Sequence, residues 1–300
     1  MKRAVSVSLG SSKRNKQVII EFEGVPIQVE RIGTDGDADK ARRLFAELDG
    51  QVDALGVGGV ELYLRVDGRE YPLRSGLGLV RDVKQTPVVD GRGLKHTLER
   101  RVFQLAAEQL GGVPHYGRAF FTLGVDRFGM AQAVSEVADE VIFGDLMFAL
   151  GIPIPVKGLT NLRRLARILL PFVANLPISM VYPTGEKQET IEPKFETYWA
   201  QADLIAGDFL YIRKHMPEDL TGKDILTNTT TEADVALLKE RGVRWLITTT
   251  PRYEGRSFGT NMMEAALTAF AGKGRALTED ELNELIDRLG IRPHVQRLNP

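Results

Sequence analysis

Cysteine is absent from the 300 residues, which removes disulfides, thiolate metal sites, iron–sulfur clusters and any cysteine nucleophile. Its absence suits a reducing cytosol or a hot habitat. An excess of charge of one sign is lacking as well: 39 basic residues against 40 acidic ones leave a formal charge of −1. No global field is there to hold DNA, RNA or an anionic membrane, so neither nucleic acid nor membrane is an expected partner. Long apolar runs are missing. The most apolar window, ILLPFVANLPISMV at 168–181, is interrupted by Pro171 and Pro177 and is shorter than the ~20 residues of a spanning helix. The start, MKRAVSVSLGSSKR, is basic but has no apolar stretch and no small-residue cleavage site, so no signal peptide is read and a cytoplasmic location is expected. The histidines, His96, His115, His215 and His294, show no paired spacing and no Walker GKS or GKT occurs. Zinc-protease and P-loop chemistry are excluded on that ground, and no metal site is expected.

What remains is 43% hydrophobic and 26% charged, an ordinary globular composition with room for two domains of roughly 150 residues. Apolar runs ending in Gly, Asp or Thr recur, several followed by helical periodicity, which is the pattern of an α/β protein with a mainly parallel sheet. The first third reads as AVSVSLG at 4–10, a hairpin QVIIEFE and VPIQVERIG around Gly24, a helix at 38–48, strands VDALGVGG, ELYLRV and TPVVDG, and a helix over 94–110. GGVPHYG at 111–117 reads as a boundary. Beyond it, AFFTLGV, EVIFGD, ISMVY (178–182), DLIAGD, DILTNTT and RWLITTTP make six strands with helical crossovers between most of them. That count matches a complete dinucleotide-binding sheet. The expected architecture is therefore a smaller α/β substrate domain at 1–115, a Rossmann-like doubly wound domain at 116–275, and a C-terminal helix and tail at 276–300. A single (β/α) barrel fits the length but not the early hairpin. In the last segment Thr278 and Glu281 form a capping-box signature.

The candidate cofactor site is LGVDRFGMAQAV at 123–134, a strand-to-helix turn bracketed by Gly124 and Gly129, with Arg127 between them. Glycines there let backbone approach a pyrophosphate, and the helix N-terminus offers free N–H groups. Asp145 ends the next strand 21 residues after Gly124, where an acidic residue takes the ribose hydroxyls of NAD and disfavours NADP. Asn228, Thr229 and Thr230, with Thr248 to Thr250, are short polar groups at neighbouring strand ends that would line a ligand crevice, the 227–230 strand end flooring the nicotinamide. The Gly-rich strand exits of the first third supply Ser11, Ser12 and Lys13 as substrate donors and Lys95 and Asp90 as acid/base residues. GRSFG at 255–259 matches GxSxG, but Pro251 intervenes where a nucleophile elbow needs a strand. Arg252 or Arg256 in that loop is better suited to an anionic ligand. DGDAD at 35–39 imitates a calcium loop but lacks its Gly and its bidentate Glu.

The strings VSVSLGSSKR, RIGTDGD, FGDLMFALG, DILTNTTTEADVALLKERGV and ITTTPRYEGRSFGTN resemble a bacterial family usually labelled quinate 5-dehydrogenase, over nearly the whole chain. The resemblance implies a two-domain NAD(P)-linked oxidoreductase, distantly shikimate dehydrogenase-like, acting on a cyclic polyhydroxy acid. Where shikimate dehydrogenases have a GAGG-type turn and a lysine in an Asn-Val-Thr-Pro-containing segment, this chain has GVDRFG, with Lys95 in VVDGRGLKH. Two readings follow. One is hydride transfer between NAD, or NADP, and a small-molecule substrate; the other is a non-redox small-molecule or nucleotide-binding protein on an eroded scaffold, which the missing middle glycine favours. Assembly into a homo-oligomer stays open.

Overall fold

The computed structural model describes residues 1–176, 190–253 and 256–300; the expected strand at 178–182 lies outside them. The chain forms two compact units, and neither is continuous. The first takes Met1–Leu94, Ile168–Gln188 and Gly259–Gly290, and the second takes Lys95–Arg167, Glu189–Phe258 and Ile291–Pro300. The expected boundaries near 115 and 275 are thus replaced. The first crossing falls between Leu94 and Lys95, whereas GGVPHYG begins as the cap of a helix inside the second unit, Gly111 taking the left-handed conformation (φ 75°) that ends Val102–Leu110.

In the first unit, β1 (Lys2–Ser8), β2 (Lys16–Phe22), β3 (Val25–Gly33), β4 (Ala54–Gly58) and β7 (Val88–Val89) form a sheet in the order β2-β3-β1-β4-β7. A separate hairpin pairs β5 (Tyr63–Val66) with β6 (Arg69–Pro72). β1 runs parallel to β3 and β4, while β2 is the antiparallel hairpin partner of β3. The turn between them is Glu23-Gly24, both at positive φ (50° and 78°), as a two-residue hairpin turn demands. The period of two in β1 sorts its side chains. Val5, Val7 and Leu9 join Leu55 and Val57 against Ala41, Phe45 and Leu79 of two helices. On the other face Asn261 of the helix Thr260–Ala271 donates to Ser6 Oγ (2.6 Å). That helix lies so close that a Cβ on Gly56 would come within 3.0 Å of the Asn261 carbonyl. Helices therefore cover both faces of the sheet.

The second unit holds β8 (Tyr116–Phe121), β9 (Ala138–Phe143), β10 (Val156–Lys157), β11 (Leu204–Gly207), β12 (Asp224–Thr227), β13 (Trp245–Thr248) and β16 (His294–Arg297), ordered β10-β9-β8-β11-β12-β13-β16. The five middle strands are parallel and the two edges antiparallel. In chain order the parallel strands run second, first, third, fourth, fifth, which differs from the six-strand dinucleotide order expected from sequence. β14 (Arg252–Tyr253) and β15 (Arg256–Ser257) make a small separate hairpin. One face is packed by Phe120, Trp199, Ile205, Phe209, Ile212, Ile225 and Leu246. On the other lies the buried helix Phe128–Val137. Among the described residues no helix is long and apolar enough to cross a membrane.

Candidate functional site

In a doubly wound sheet, the connections leaving two neighbouring strands part to opposite faces where the strand order reverses, and a crevice opens at the carboxyl ends there. In the second unit this point lies between β8 and β11. The two strand exits are tightly joined. Gly207 has φ 136°, and a Cβ on it would sit 2.1 Å from Thr122 Oγ1, so only glycine brings the next residue, Asp208, to this place.

Around Asp208 lies a network of charged groups. Arg127 donates to Glu99 Oε1 (2.5 Å) and to Asp208 Oδ2 (2.7 Å), and Asn228 Nδ2 donates to the same Asp208 oxygen (2.8 Å). Lys95 Nζ donates to the Asp126 carbonyl (3.1 Å) and to its Oδ1 (3.3 Å). Thr249 Oγ1 lies 3.5 Å from Glu99 Oε1. Lys95, Glu99 and Arg127 are buried, whereas the Asp126 and Asp208 side chains keep 20% and 17% exposure. The network thus opens to solvent at two carboxylates. Two of its buried atoms, Glu99 Oε2 and Arg127 Nε, have no hydrogen-bond partner among the described residues.

Burial lowers the Lys95 pKa, with Asp126 pulling the other way. Burial pushes the Glu99 carboxyl up against the opposing charge of Arg127. Burial also works against the Arg127 charge, but Glu99 and Asp208 outweigh it and hold the guanidinium protonated. The Tyr211 phenol is pushed up by burial and by the charges of Asp126 and Asp208, which marks it as a neighbour of both. Among the described residues no group of three or more His, Cys, Asp or Glu side chains could hold a metal ion, and cations lie between these carboxylates.

Of the residues expected from sequence, Lys95, Arg127 and Asn228 meet in this network. The others have different work. Asp145 does not reach outward for a ribose: its carboxylate accepts from the amides of Gly124 (3.0 Å) and Val125 (2.9 Å), and burial pushes its pKa to about 6. It occupies the amides a pyrophosphate would need. A Cβ on Gly124 would meet Phe143 at 2.6 Å, and one on Gly129 would meet the Lys95 carbonyl oxygen at 1.9 Å. Both glycines therefore serve packing, and Gly129 lets its helix approach the backbone of Lys95. Gly129→Val should cost ~3 kcal/mol or more by overpacking against backbone; a melting temperature within two degrees of native would show that the backbone gives way freely.

Thr229 Oγ1 donates to the Ser257 carbonyl (2.8 Å) and Thr230 N to Ser257 Oγ (2.8 Å), so this strand end ties down the small hairpin instead of flooring a nicotinamide. Arg252 donates to Gln296 on β16 (3.1 Å). Lys95 pairs with Asp126. In the first unit the Asp90 carboxylate accepts from the amides of Leu62 (2.8 Å), Tyr63 (3.3 Å) and Arg92 (3.1 Å). Ser11, Ser12 and Lys13 lie on a short helical turn, where Ser11 Oγ accepts from Lys13 N and Ser12 N donates to Asp35. Glu99, Asp126 and Asp208 escaped the sequence reading. Glu99 sits where the helix expected over 94–110 breaks into Arg92–His96 and Val102–Leu110. Asp208 was visible as the Gly-Asp strand end shared by EVIFGD and DLIAGD.

No curated protein matches this chain. Solved structures of similar extent include GanP, a glucose-galactose binding protein from Geobacillus stearothermophilus, at 9% identity over 99% of this chain and 97% of that one, TM-score 0.37. A galactofuranose binding protein is 12% identical over 97% of this chain and all of that one (100%), TM-score 0.36. A Mycobacterium smegmatis protein in complex with beta-D-fucofuranose is 10% identical over 99% of each chain, TM-score 0.33. The labels oxidoreductase, NAD and Rossmann are corrected on the geometry above: Asp145 occupies the Gly124 and Val125 amides that a dinucleotide would need, and the strand order is not that of the six-strand dinucleotide sheet. Residues 3–90 match the model described as Domain of unknown function (DUF8753). Residues 93–298 match that described as Domain of unknown function (DUF8754), and the chain belongs to this family.

Proposed function

We propose that this protein is a non-redox binding protein that holds a small polar molecule at the carboxyl ends of β8, β11 and β12. One observation carries the reading: a network of five charged side chains, Lys95, Glu99, Asp126, Arg127 and Asp208, lies at the strand-order reversal and opens to solvent at Asp126 and Asp208. Burying such groups costs several kcal/mol per ion, and apolar residues of the same volume are often the more stable choice. Stability alone gives little reason to keep five there. Ligand recognition does, because the paired cations lock the two part-exposed carboxylates in fixed directions before anything binds.

Calorimetric titration of the full chain with sugars, polyols, amino acids and nucleotides tests this. Asp208→Asn keeps the shape of the side chain and an oxygen for the Leu210 amide that Asp208 now caps (2.9 Å). It should weaken binding of whichever compound the native protein takes by about tenfold to a hundredfold, the worth of a charged hydrogen bond. Native affinity in Asp208→Asn would place the ligand elsewhere.

A further inference from the structure

We infer that the outer edge of β2 is an interface at which two copies of this chain join their first sheets, antiparallel and about a two-fold axis through Ile19. A strand at the end of a sheet carries a row of backbone N–H and C=O groups with no ladder to enter. Proteins that stay monomeric blunt such edges by keeping them short, or with proline, a bulge or a central charge. Three of the four edges in the two large sheets are short: β7 and β10 have two residues each and β16 has four. β2 has seven, held to β3 in unbroken register from Lys16↔Arg31 to Phe22↔Val25. It contains no proline, and neither of its charges, Lys16 and Glu21, is at the middle. The middle residue is Ile19, a branched aliphatic side chain 61% exposed between exposed Gln17 and Glu21.

The sequence of the strand selects a second copy as its occupant. When two antiparallel strands extend one sheet, outward side chains must meet outward ones, because a slip by one residue turns every side chain to the other face. Centred on Ile19, every residue of β2 finds a partner. Ile19 meets Ile19 of the second copy, exposed Gln17 meets exposed Glu21, buried Val18 meets buried Ile20, and Lys16 meets Phe22. The Gln17 amide can donate to the opposing Glu21 carboxylate, no like charges stand opposite each other, and the apolar layer of Val18, Ile20 and Phe22 runs on from one copy into the next. Moving the centre to Val18 or Ile20 sets Ile19 against Gln17 or Glu21 and leaves the end of each strand unpaired. The edge is thus complementary to itself in one register.

The test exploits the absence of cysteine, since Ile19→Cys gives the full chain a single thiol, placed on the axis. Opposed residues of an antiparallel pair have Cα atoms about 4.5–5.5 Å apart, within disulfide reach, so mild oxidation should link this variant into a covalent dimer. Gln17→Cys is the control. Its two thiols would stand four residues apart along the strands, about 14 Å, and should link at least about tenfold more slowly, except when the variant is mixed with Glu21→Cys. Ile19, Gln17 and Glu21 are exposed, so none of these changes disturbs the core. Sedimentation of the native chain at on the order of 100 μM should show a dimer, and Ile19→Lys, which opposes two charges on the axis, should weaken it about tenfold. A native chain that stays monomeric overturns the inference and leaves the edge to a strand of another protein or to none. A dimer indifferent to Ile19→Lys, or Gln17→Cys linking as fast as Ile19→Cys, overturns it as well, because the copies then meet elsewhere or in another register.

Discussion

Arg127→Met should cost the second unit roughly 3–5 kcal/mol, more than most single substitutions, although methionine fills much of the same volume. The guanidinium is 4% exposed and joins Glu99, which is wholly buried, to Asp208. Without it Glu99 keeps a buried carboxyl that has lost its largest counter-charge, and the cost is that stranded group more than the lost bonds. Urea unfolding at pH 7 measures it. Adding Glu99→Leu to Arg127→Met should return a good part of the loss, since the two residues act as a pair. A single-variant loss under about 1 kcal/mol would mean that water replaces the guanidinium at little expense.

Glu264→Gln should do the opposite, stabilising the first unit by an amount that grows as pH rises above about 4.5. Glu264 lies on the helix Thr260–Ala271, 4% exposed, and accepts from the amide of Leu94 (3.3 Å). Burial, helped by the charge of Asp90, pushes its pKa to about 8, against 4.5 for a free side chain. Because the folded value is the higher, the folded protein binds more protons between these limits, and stability falls as pH rises through them. The contribution is whole below about 4.5 and gone above about 8. Glutamine mimics the protonated form. Native and variant should therefore be nearly equal at pH 4.5 and differ by on the order of 5 kcal/mol at pH 9, each pKa unit being worth about 1.4 kcal/mol. A difference that does not change with pH would mean that Glu264 is ionised throughout.

The α/β character was legible because most strands of the two sheets are short apolar runs closed by a small or polar residue, as in AVSVSLG and DLIAGD, unlike the edge strands VK and HVQR. The capping box at Thr278 and Glu281 was legible as well, since both of its bonds are local. Strand order was not. It depends on which runs pair, and nothing in EVIFGD says that β9 lies outside β8 and not beside β11. The site was legible by residue type at Lys95, Arg127 and Asn228, which are costly to bury unpaired. Its acidic half was not, because Glu99 looks like one more residue of an amphipathic helix until that helix is seen to break. The glycines misled for a related reason: Gly124 and Gly129 mark close approaches, and sequence does not reveal whether phosphate, side chain or backbone does the approaching.

The helix Thr260–Ala271, which covers one face of the first sheet, has a consequence for biosynthesis. The strands it packs on are finished by Val89. At 5–20 residues per second a ribosome needs on the order of 10–30 seconds to make the intervening stretch. Throughout that time the face of β1 and β4 destined for this helix has no lid. Besides the small Ala4, Ser6, Gly56 and Gly58, the face continues into Val18, Ile20, Ile27 and Val29, with Phe22 at the position that meets Phe270 of the helix. A fragment ending near residue 90 should therefore expose an apolar layer and aggregate unless the distant helix is supplied.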